Sequence, residues 1–258
     1  MFQNVYPVFE AKKLLKKEML DNLRDFPREL FDLQYRGYSD GILTGCELEG
    51  YDGGLKIMPG ILYYQGVPYF LKKPFDVSVQ AEGRLTYIKV RFLGKSIGAR
   101  QEEYLSQIYI DERIPDSNYE LELGRFKLQT GAKLRTEYVN FFDYATEYDT
   151  IDRIHVPFAA AGHQGIWPQL LKCFAKELLH FPKHESGDIA FCLNCLQLEK
   201  AMPYESVKAY LNVRLRQDRE YTNQQIYGAL KDILREAGGK ESDFGGEIGK
   251  KEGTLLMI

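Results

Sequence analysis

Apolar and polar residues alternate with a period of two through much of the chain up to about residue 154, and glycines interrupt the alternation at short intervals. The densest case is the stretch Gly41–Leu71, where short apolar runs end at Asp52-Gly53-Gly54, at Pro59-Gly60 and at Gln65-Gly66. Such dipeptides supply the positive or fixed φ that tight turns require. The pattern therefore predicts a meander of short antiparallel strands.

Four further strands are predicted after this meander, over Arg84–Leu93, Glu103–Asp111, Tyr119–Gln129 and Leu134–Phe142. Within the third of them the apolar positions change phase at Gly124-Arg125. A β-bulge resets the register of a strand in this way, so we expect one there.

Helical spacing of apolar residues appears at both ends of the chain. Residues 8–25 carry an apolar stripe among lysines and acids, and Pro27 is expected to end that helix. Beyond a punctuated stretch at 157–166, four helices are predicted. Their signals are Pro168 followed by an apolar stripe to Phe181, a segment Asp188–Lys200, a segment Tyr204–Arg216, and a capping box at Thr222 and Gln225 with a stop at Gly238-Gly239.

The fold class predicted by these patterns is α+β, with an N-terminal helix, an antiparallel β-rich meander domain and a C-terminal helical bundle. The predicted division places the amphipathic helix in residues 1–30 and the β-rich domain in 31–156. The division continues with a linker at 157–166, the helical bundle at 167–239 and a flexible tail at 240–258.

Composition narrows the class of protein. A net charge of −3 over 258 residues disfavours broad nucleic-acid binding, which depends on clustered Lys and Arg. No apolar run approaches the roughly 20 residues that span a bilayer, and the N-terminus lacks the order of a signal peptide. The four cysteines do not resemble a disulfide framework. We expect a cytoplasmic protein with no nucleic-acid or membrane partner.

The sequence Gly94-Lys-Ser96-Ile-Gly98 matches the G-x-S-x-G motif of serine hydrolases. That motif needs a strand-to-helix turn, whereas the residues after it enter another strand. The candidate triad partners of Ser96 are His155 or His163 with Asp143 or Asp152. A plain turn between strands is the favoured interpretation, and a hydrolase remains the alternative.

Two other groups of residues have a chemical interpretation. His180, His184, Cys192 and Cys195 are residue types that bind zinc, but the cysteines share a helical face with apolar residues and are predicted to be buried core residues. Tyrosines of the meander suit either half-buried packing or a carbohydrate-binding surface. They are Tyr51, Tyr63, Tyr64 and Tyr69. The sequence predicts no catalytic, cofactor-binding or metal-ligating residue and no cofactor.

Two blocks of the chain resemble structural proteins of the tail tip or baseplate of tailed bacteriophages and prophages. The first comprises Tyr38–Leu48 and Gly54–Gly66, with glycine- and proline-punctuated hairpins of the kind that form a contact platform in such proteins. The second comprises Glu120–Leu128, Asp149–Asp152 and Phe174–Leu179, similar to the region that follows the platform.

This resemblance implies a non-enzymatic assembly protein whose partners are other tail or baseplate proteins and, in a homo-oligomer, further copies of the same chain. A receptor-binding fibre is disfavoured because the chain has no long repetitive shaft. The alternatives are the Ser96 hydrolase and a carbohydrate-binding β module.

Overall fold

The computed structural model describes residues 4–98 and 101–238, and within them the α+β class is confirmed. A long helix precedes nine strands, and a 3₁₀ helix and four α-helices follow. The strands are β1 (Gly41–Gly45), β2 (Leu48–Tyr51), β3 (Gly54–Ile57), β4 (Gly60–Tyr64), β5 (Val67–Leu71), β6 (Phe75–Ser78), β7 (Leu85–Ile97), β8 (Glu102–Asp111) and β9 (Glu120–Lys127). The helices are α1 (Lys17–Gln34), the 3₁₀ helix Phe141–Ala145, α2 (Pro168–His180), α3 (Ser186–Leu196), α4 (Tyr204–Leu215) and α5 (Asn223–Ala237).

The first six strands form two interleaved sheets, so the prediction of one continuous meander was wrong in its pairing. One sheet has the order β1-β4-β5, and the other has the order β2-β3-β6. The chain leaves the first sheet at Gly45 and Cys46, which adopt φ values of 66° and 56°, and returns at Gly60. A Cβ on Gly60 would lie 2.7 Å from the Thr44 carbonyl oxygen, so the close crossing requires glycine.

The third sheet has the order β8-β7-β9 and contains the predicted bulge. Ile88 pairs with Gly124 and Lys89 pairs with Glu122, which leaves Leu123 as the extra residue. The bulge therefore lies directly before the predicted position. This sheet packs on the β1-β4-β5 sheet through Tyr64, whose ring stacks on Phe92 with centroids 3.8 Å apart.

The strand predicted over Leu134–Phe142 was wrong. Only an isolated bridge between Arg135 and Thr150 forms there, and the chain then enters the 3₁₀ helix. The side chain of Asn140 accepts a hydrogen bond from the Asp143 backbone N–H at 3.0 Å. This local cap competes with strand pairing because Asn side chains favour turns and helix starts.

The N-terminal helix also differs from its prediction over residues 8–25, since α1 begins at Lys17 and continues through Pro27 to Gln34. Lys12 adopts a φ of 68°, a turn conformation that separates the preceding residues from the helix. Pro27 removes the intrahelical hydrogen bond to the Leu23 carbonyl. Leu23 and Pro27 are both exposed, so water can hydrogen-bond to the Leu23 carbonyl and the helix continues.

The four C-terminal helices lie close to their predicted positions. Pro168 occupies the first turn of α2, and the capping box of Thr222 and Gln225 opens α5. Gly238 ends α5 with a φ of 115°. The second of them is shifted from its predicted segment Asp188–Lys200, because α3 begins at Ser186 and ends at Leu196.

Residues 157–166, predicted as a linker, are packed into the fold. The Ile42 backbone N–H donates to the Pro157 carbonyl, and the Ala159 N–H donates to the Ile42 carbonyl, each at 2.9 Å. Phe158, Ala159 and Ala160 are buried. One hydrophobic core runs from the sheets into the helices, and Phe158 and Ile166 of this stretch belong to it. The proposed domain boundaries stay a prediction, and the tail 240–258 lies outside the described residues.

Among the described residues, the helices are all too short or too polar to cross a bilayer.

Candidate assembly interface

In the part of the chain that the structure describes, the packing contacts of helix α1 with the rest of the fold lie near its C-terminal end. None of its 18 residues is buried. Phe31 packs against Tyr35 and Tyr63, with ring centroids 4.5 and 6.2 Å apart, and Tyr35 packs edge-on against Tyr38 at 5.1 Å. These rings cover a small satellite core made by Leu43, Tyr63 and Ala159. The base of α1 is therefore held by aromatic packing, while the preceding turns stand clear of it.

A lysine from the α3–α4 connection also holds this base. The Lys200 Nζ donates a hydrogen bond to the Tyr35 hydroxyl at 3.0 Å and lies 4.8 Å from the centre of its ring. The hydroxyl of Tyr63 donates to the Tyr35 carbonyl at 3.4 Å. The hydrogen bond from Lys200 to Tyr35 is the main cause that raises the pKa of Lys200. The orientation of α1 thus depends on both the sheet and the helical half.

The outward face of α1 carries an apolar seam, which we define as Met19, Leu23, Phe26, Leu30 and Leu33. Leu23, Phe26, Leu30 and Leu33 are 57, 49, 54 and 62% exposed. Successive members are four, three, four and three residues apart, the spacing of a coiled-coil seam. At 3.6 residues per turn the seam lies about 140° around the helix from Phe31 and Tyr35. It therefore faces away from the body.

The segment that leads into α1 adds to this surface. Its large apolar side chains are each more than half exposed: Val5, Tyr6, Val8, Phe9, Leu14 and Leu15. Large apolar side chains that are exposed in such number over a short segment are typical of a contact site.

Helix α1 lacks the features that stabilise a helix in water. Its N-cap residue, Lys16, makes no side-chain capping hydrogen bond, and no basic residue occupies the last turn. Pro27 removes one backbone hydrogen bond, and isolated helices of this length are marginal in water. Packing of its apolar face against another element would supply the missing stabilisation. We therefore identify α1 as the candidate functional site.

A second exposed apolar surface lies on the arm formed by the ends of β7 and β8. Leu93, Ile97, Tyr104 and Leu105 are 57, 75, 40 and 44% exposed. Strand β8 is the edge of its three-stranded sheet. Lys95 and Glu102 form an ion pair across the arm at 2.8 Å, and charged side chains on an edge hinder uncontrolled strand pairing.

Ser96 lies on this arm and not at a nucleophile elbow. It is exposed in β7 and pairs with Glu103 of β8. Asp143 is ion-paired with Arg135, and the nearest atoms of His155 and Asp152, Nε2 and Oδ2, are 3.8 Å apart. Among the described residues no hydrogen bond joins Ser96 to a histidine. The structure does not bring the candidate triad together.

The cysteines and histidines of the candidate zinc group have different surroundings. Cys192 and Cys195 are fully buried on the core face of α3, which confirms the prediction of core cysteines. Burial raises the pKa of the Cys192 thiol to about 12 and raises that of Cys195 further. The His184 Nδ1 is 3.0 Å from the Phe181 carbonyl oxygen. Within residues 4–98 and 101–238, no three side chains of His, Cys, Asp or Glu are grouped to hold a metal ion.

The meander tyrosines have a packing role. Tyr63, Tyr64 and Tyr69 are buried, and of the four only Tyr51 is exposed, at 46%. Tyr69 contacts Phe92 edge-on at 4.8 Å, beside the Tyr64 stack. These rings join two sheets, so they do not form an open stacking surface for a sugar.

Sequence reasoning missed a buried charged cluster on β7 and β9. The Lys89 Nζ, on a side chain that is 1% exposed, lies 2.7 Å from Asp111 Oδ1 and 3.3 Å from Glu120 Oε2. Burial opposes ionisation of Glu120, but hydrogen bonds from Tyr109, Arg91, the Asp116 N–H and Lys89 lower its pKa to about 2. Every charge here has a partner, which is the arrangement of a structural ion cluster.

A polar cavity of about 670 Å³ lies between the 157–166 segment and the start of α5. Its lining includes His155, His163, Tyr204 and Glu220. Burial lowers the pKa of His155, and Glu220 accepts a hydrogen bond from Tyr204 at 2.7 Å while pairing with Lys208. The charge of the Glu220 carboxylate is thus already balanced by Lys208.

No protein-family model matches the sequence, and no curated protein matches it. Solved structures resemble the chain coarsely. The crystal structure of TssK aligns over 91% of this chain and 72% of its own, at 10% identity and a TM-score of 0.40. A chain in the cryo-electron microscopy structure of the type VI secretion TssK-TssF-TssG baseplate subcomplex also aligns with it. The alignment covers 91% of this chain and 99% of the other, at 11% identity and a TM-score of 0.43.

A third structure, the baseplate complex from the type VI secretion system, aligns over 90% of this chain and 100% of its own, at 10% identity and a TM-score of 0.35. The second and third are structures of baseplate assemblies of the type VI secretion system. At these values the similarity is one of general outline.

Proposed function

We propose that the protein is a non-enzymatic structural component of a phage or prophage tail apparatus, in its baseplate or tail tip, and acts through protein–protein contacts. The observation that carries this proposal is α1, a helix with an exposed apolar seam and no buried residue. Such a helix gains its stability by docking on a partner. The class of apparatus rests on the sequence resemblance of the two blocks described above.

The partners we propose are other tail or baseplate proteins and further copies of this chain. Assembly would take place in the cytoplasm of the producing bacterial cell. Incorporation into a virion tail is part of the same proposal. The arm formed by β7 and β8 is a second candidate contact, because its apolar residues are exposed beside an unpaired strand edge.

The rival functions have weaker support. A serine hydrolase needs Ser96 beside a base, whereas Ser96 is in an exposed hairpin. A carbohydrate-binding module needs exposed aromatic faces, whereas three of the four meander tyrosines are buried.

The test uses a chromosomally tagged copy in the cell that encodes the protein. We expect the wild-type chain to sediment with tail or baseplate particles. The double variant L23S/L30S is expected to remain in the supernatant while the unfolding midpoint of its core, followed by the fluorescence of the buried Trp167, matches that of the wild type. The matched control is V213S, which removes a side chain 80% exposed on α4, and it should sediment normally.

A chain that never sediments with particles would contradict the proposal. So would an esterase activity of the purified wild type that S96A abolishes, because that result would establish the hydrolase instead.

A further inference from the structure

We propose that two copies of the chain pair through their α1 seams, with the two helices antiparallel. This inference rests on the proposed assembly function and names one of its contacts. An antiparallel pair of identical seams is a two-fold symmetric interface, in which the same residues contribute from both sides.

The spacing of the seam favours a helix as the occupant. Leu23 and Leu30 form one class of core position, and Met19, Phe26 and Leu33 form the other. Alternation of the two classes over two heptads lets each side chain insert between four residues of a facing helix. A flat protein surface or a lipid surface imposes no such spacing, and a broader apolar face would serve it as well.

The side chains that flank the seam favour the antiparallel orientation. Asn22 and Glu29 lie on one flank, and Pro27 lies on the other. A two-fold axis through the centre of an antiparallel pair brings equal flanks together, so the Asn22 amide of each copy can donate to the Glu29 carboxylate of the other. A parallel pair instead places Asn22 beside Pro27, which has no polar side-chain group.

Charges at the ends of α1 favour the same orientation. Lys16 and Lys17 stand at the N-terminal end, Lys12 and the Glu10-paired Lys13 precede it, and the last turn has no basic residue. In a parallel pair the two lysine clusters would lie side by side and repel. In an antiparallel pair each cluster approaches the C-terminal end of the other helix, where the helix dipole favours positive charge.

The polar side of α1 disfavours an anionic lipid surface as the occupant. It carries five acidic side chains, at Glu18, Asp21, Asp25, Glu29 and Asp32. Interfacial helices that bind such surfaces are instead rich in Lys and Arg on the polar face.

Solution mass tests the pairing directly. Light scattering of the purified full chain should give a concentration-dependent mass that approaches twice the 29.8 kDa of one chain. L30S truncates two buried side chains per dimer, so the dissociation constant should rise at least about tenfold. V213S should leave it unchanged. A mass of one chain at all accessible concentrations would overturn the proposal.

Disulfide trapping tests the orientation. We expect a mixture of N22C and E29C chains to form mixed disulfide dimers under mild oxidation, because 22 and 29 meet across the two-fold axis. N22C alone and the wild-type chain, whose Cys46, Cys192 and Cys195 are buried, serve as controls. Efficient linking of N22C chains to P27C chains, with no N22C–E29C product, would show a parallel arrangement and overturn the proposal, as would binding of the chain to phosphatidylglycerol vesicles with loss of the dimer.

The two proposals fail separately. If the chain is monomeric but L23S/L30S is lost from particles, the seam binds a different protein and the assembly function stands. If the dimer forms but the chain never sediments with particles, the antiparallel pairing stands and the assembly function is wrong.

Discussion

The ammonium group of Lys200 donates a hydrogen bond to the hydroxyl of Tyr35 at 3.0 Å and lies over its ring at 4.8 Å. Lys200 belongs to the α3–α4 connection, and Tyr35 directly follows α1. The contact therefore couples the exposed helix to the helical half of the fold.

Lys200→Met keeps most of the aliphatic stem and removes the charge. Amide hydrogen exchange of residues 31–38 should accelerate several-fold, while the free energy of unfolding falls by no more than about 1 kcal/mol. The control is Lys172→Met, a half-buried lysine that lines the neighbouring cavity of about 340 Å³. Equal exchange rates in both variants would show that Lys200 does not hold the base of α1.

Gly45→Ala should destabilise the protein strongly. Gly45 has a φ of 66°, and an added Cβ would collide with the Pro59 carbonyl oxygen in the crossing between β1 and β4. We expect a loss of about 3 kcal/mol or more in the free energy of unfolding, measured by guanidinium denaturation.

Gly53→Ala is its matched control. Gly53 has a φ of 85° but an added Cβ meets no atom within 4 Å, so only the backbone cost of about 1 kcal/mol applies. Equal losses in the two variants would contradict the steric account of the crossing.

Glu120 should give stability that is lost in acid. Its pKa is about 2 in the folded state, below the ordinary value of 4.5, so the folded protein binds its proton less readily than the unfolded chain. The contribution, on the order of 2–3 kcal/mol, is therefore present above the ordinary value and is lost as the pH falls toward 2.

Urea unfolding of the wild type and Glu120→Gln checks this sign. The variant should be less stable than the wild type at pH 7, and the difference in their free energies of unfolding should decrease as the pH falls from 5 to 2.5. A difference in the free energy of unfolding that does not change with pH would show that Glu120 acts through packing alone.

Glu177 should show the opposite dependence. Its Oε1 accepts a hydrogen bond from the Phe141 backbone N–H at 2.6 Å, while Oε2 is buried and has no hydrogen-bond partner among the described residues. Burial raises the pKa of this carboxyl, so its contribution to stability is present below the ordinary value and is lost as the pH rises through the raised one. Glu177→Gln should therefore gain stability relative to the wild type between pH 4 and pH 8, and urea unfolding at both values measures it.

Local signals allowed much of the fold to be predicted from the sequence. The first-turn proline of α2, the capping box of α5 and its terminal Gly238 each act within one turn of helix, so they hold regardless of the surroundings. The bulge in β9 was visible because a phase change in the apolar pattern has few other causes.

Features that depend on distant contacts could not be predicted in the same way. Lys89 stands between the apolar residues Ile88 and Val90 in β7, a pattern typical of an outward-facing lysine, yet it is buried because Asp111 and Glu120 from two neighbouring strands neutralise it. The start of α1 depends on the turn at Lys12, and the exposed surroundings of Pro27 allow the helix to continue. The seam itself was only partly recognised, because Met19 and Leu23 were included in the predicted stripe and Phe26, Leu30 and Leu33 lay beyond its predicted end.

The pairing of residues 157–159 with Ile42 has a consequence for dividing the chain. A fragment that ends at Val156 would lose the two backbone hydrogen bonds that join Ile42 of β1 to Pro157 and Ala159, and would expose core side chains that Phe158 and Ala159 cover. A fragment that begins at Trp167 would lose the sheet against which its helices pack. We therefore expect sequence to be inserted with least cost at exposed turns such as Gly53 and with greater cost at the junction of the β-rich and helical parts.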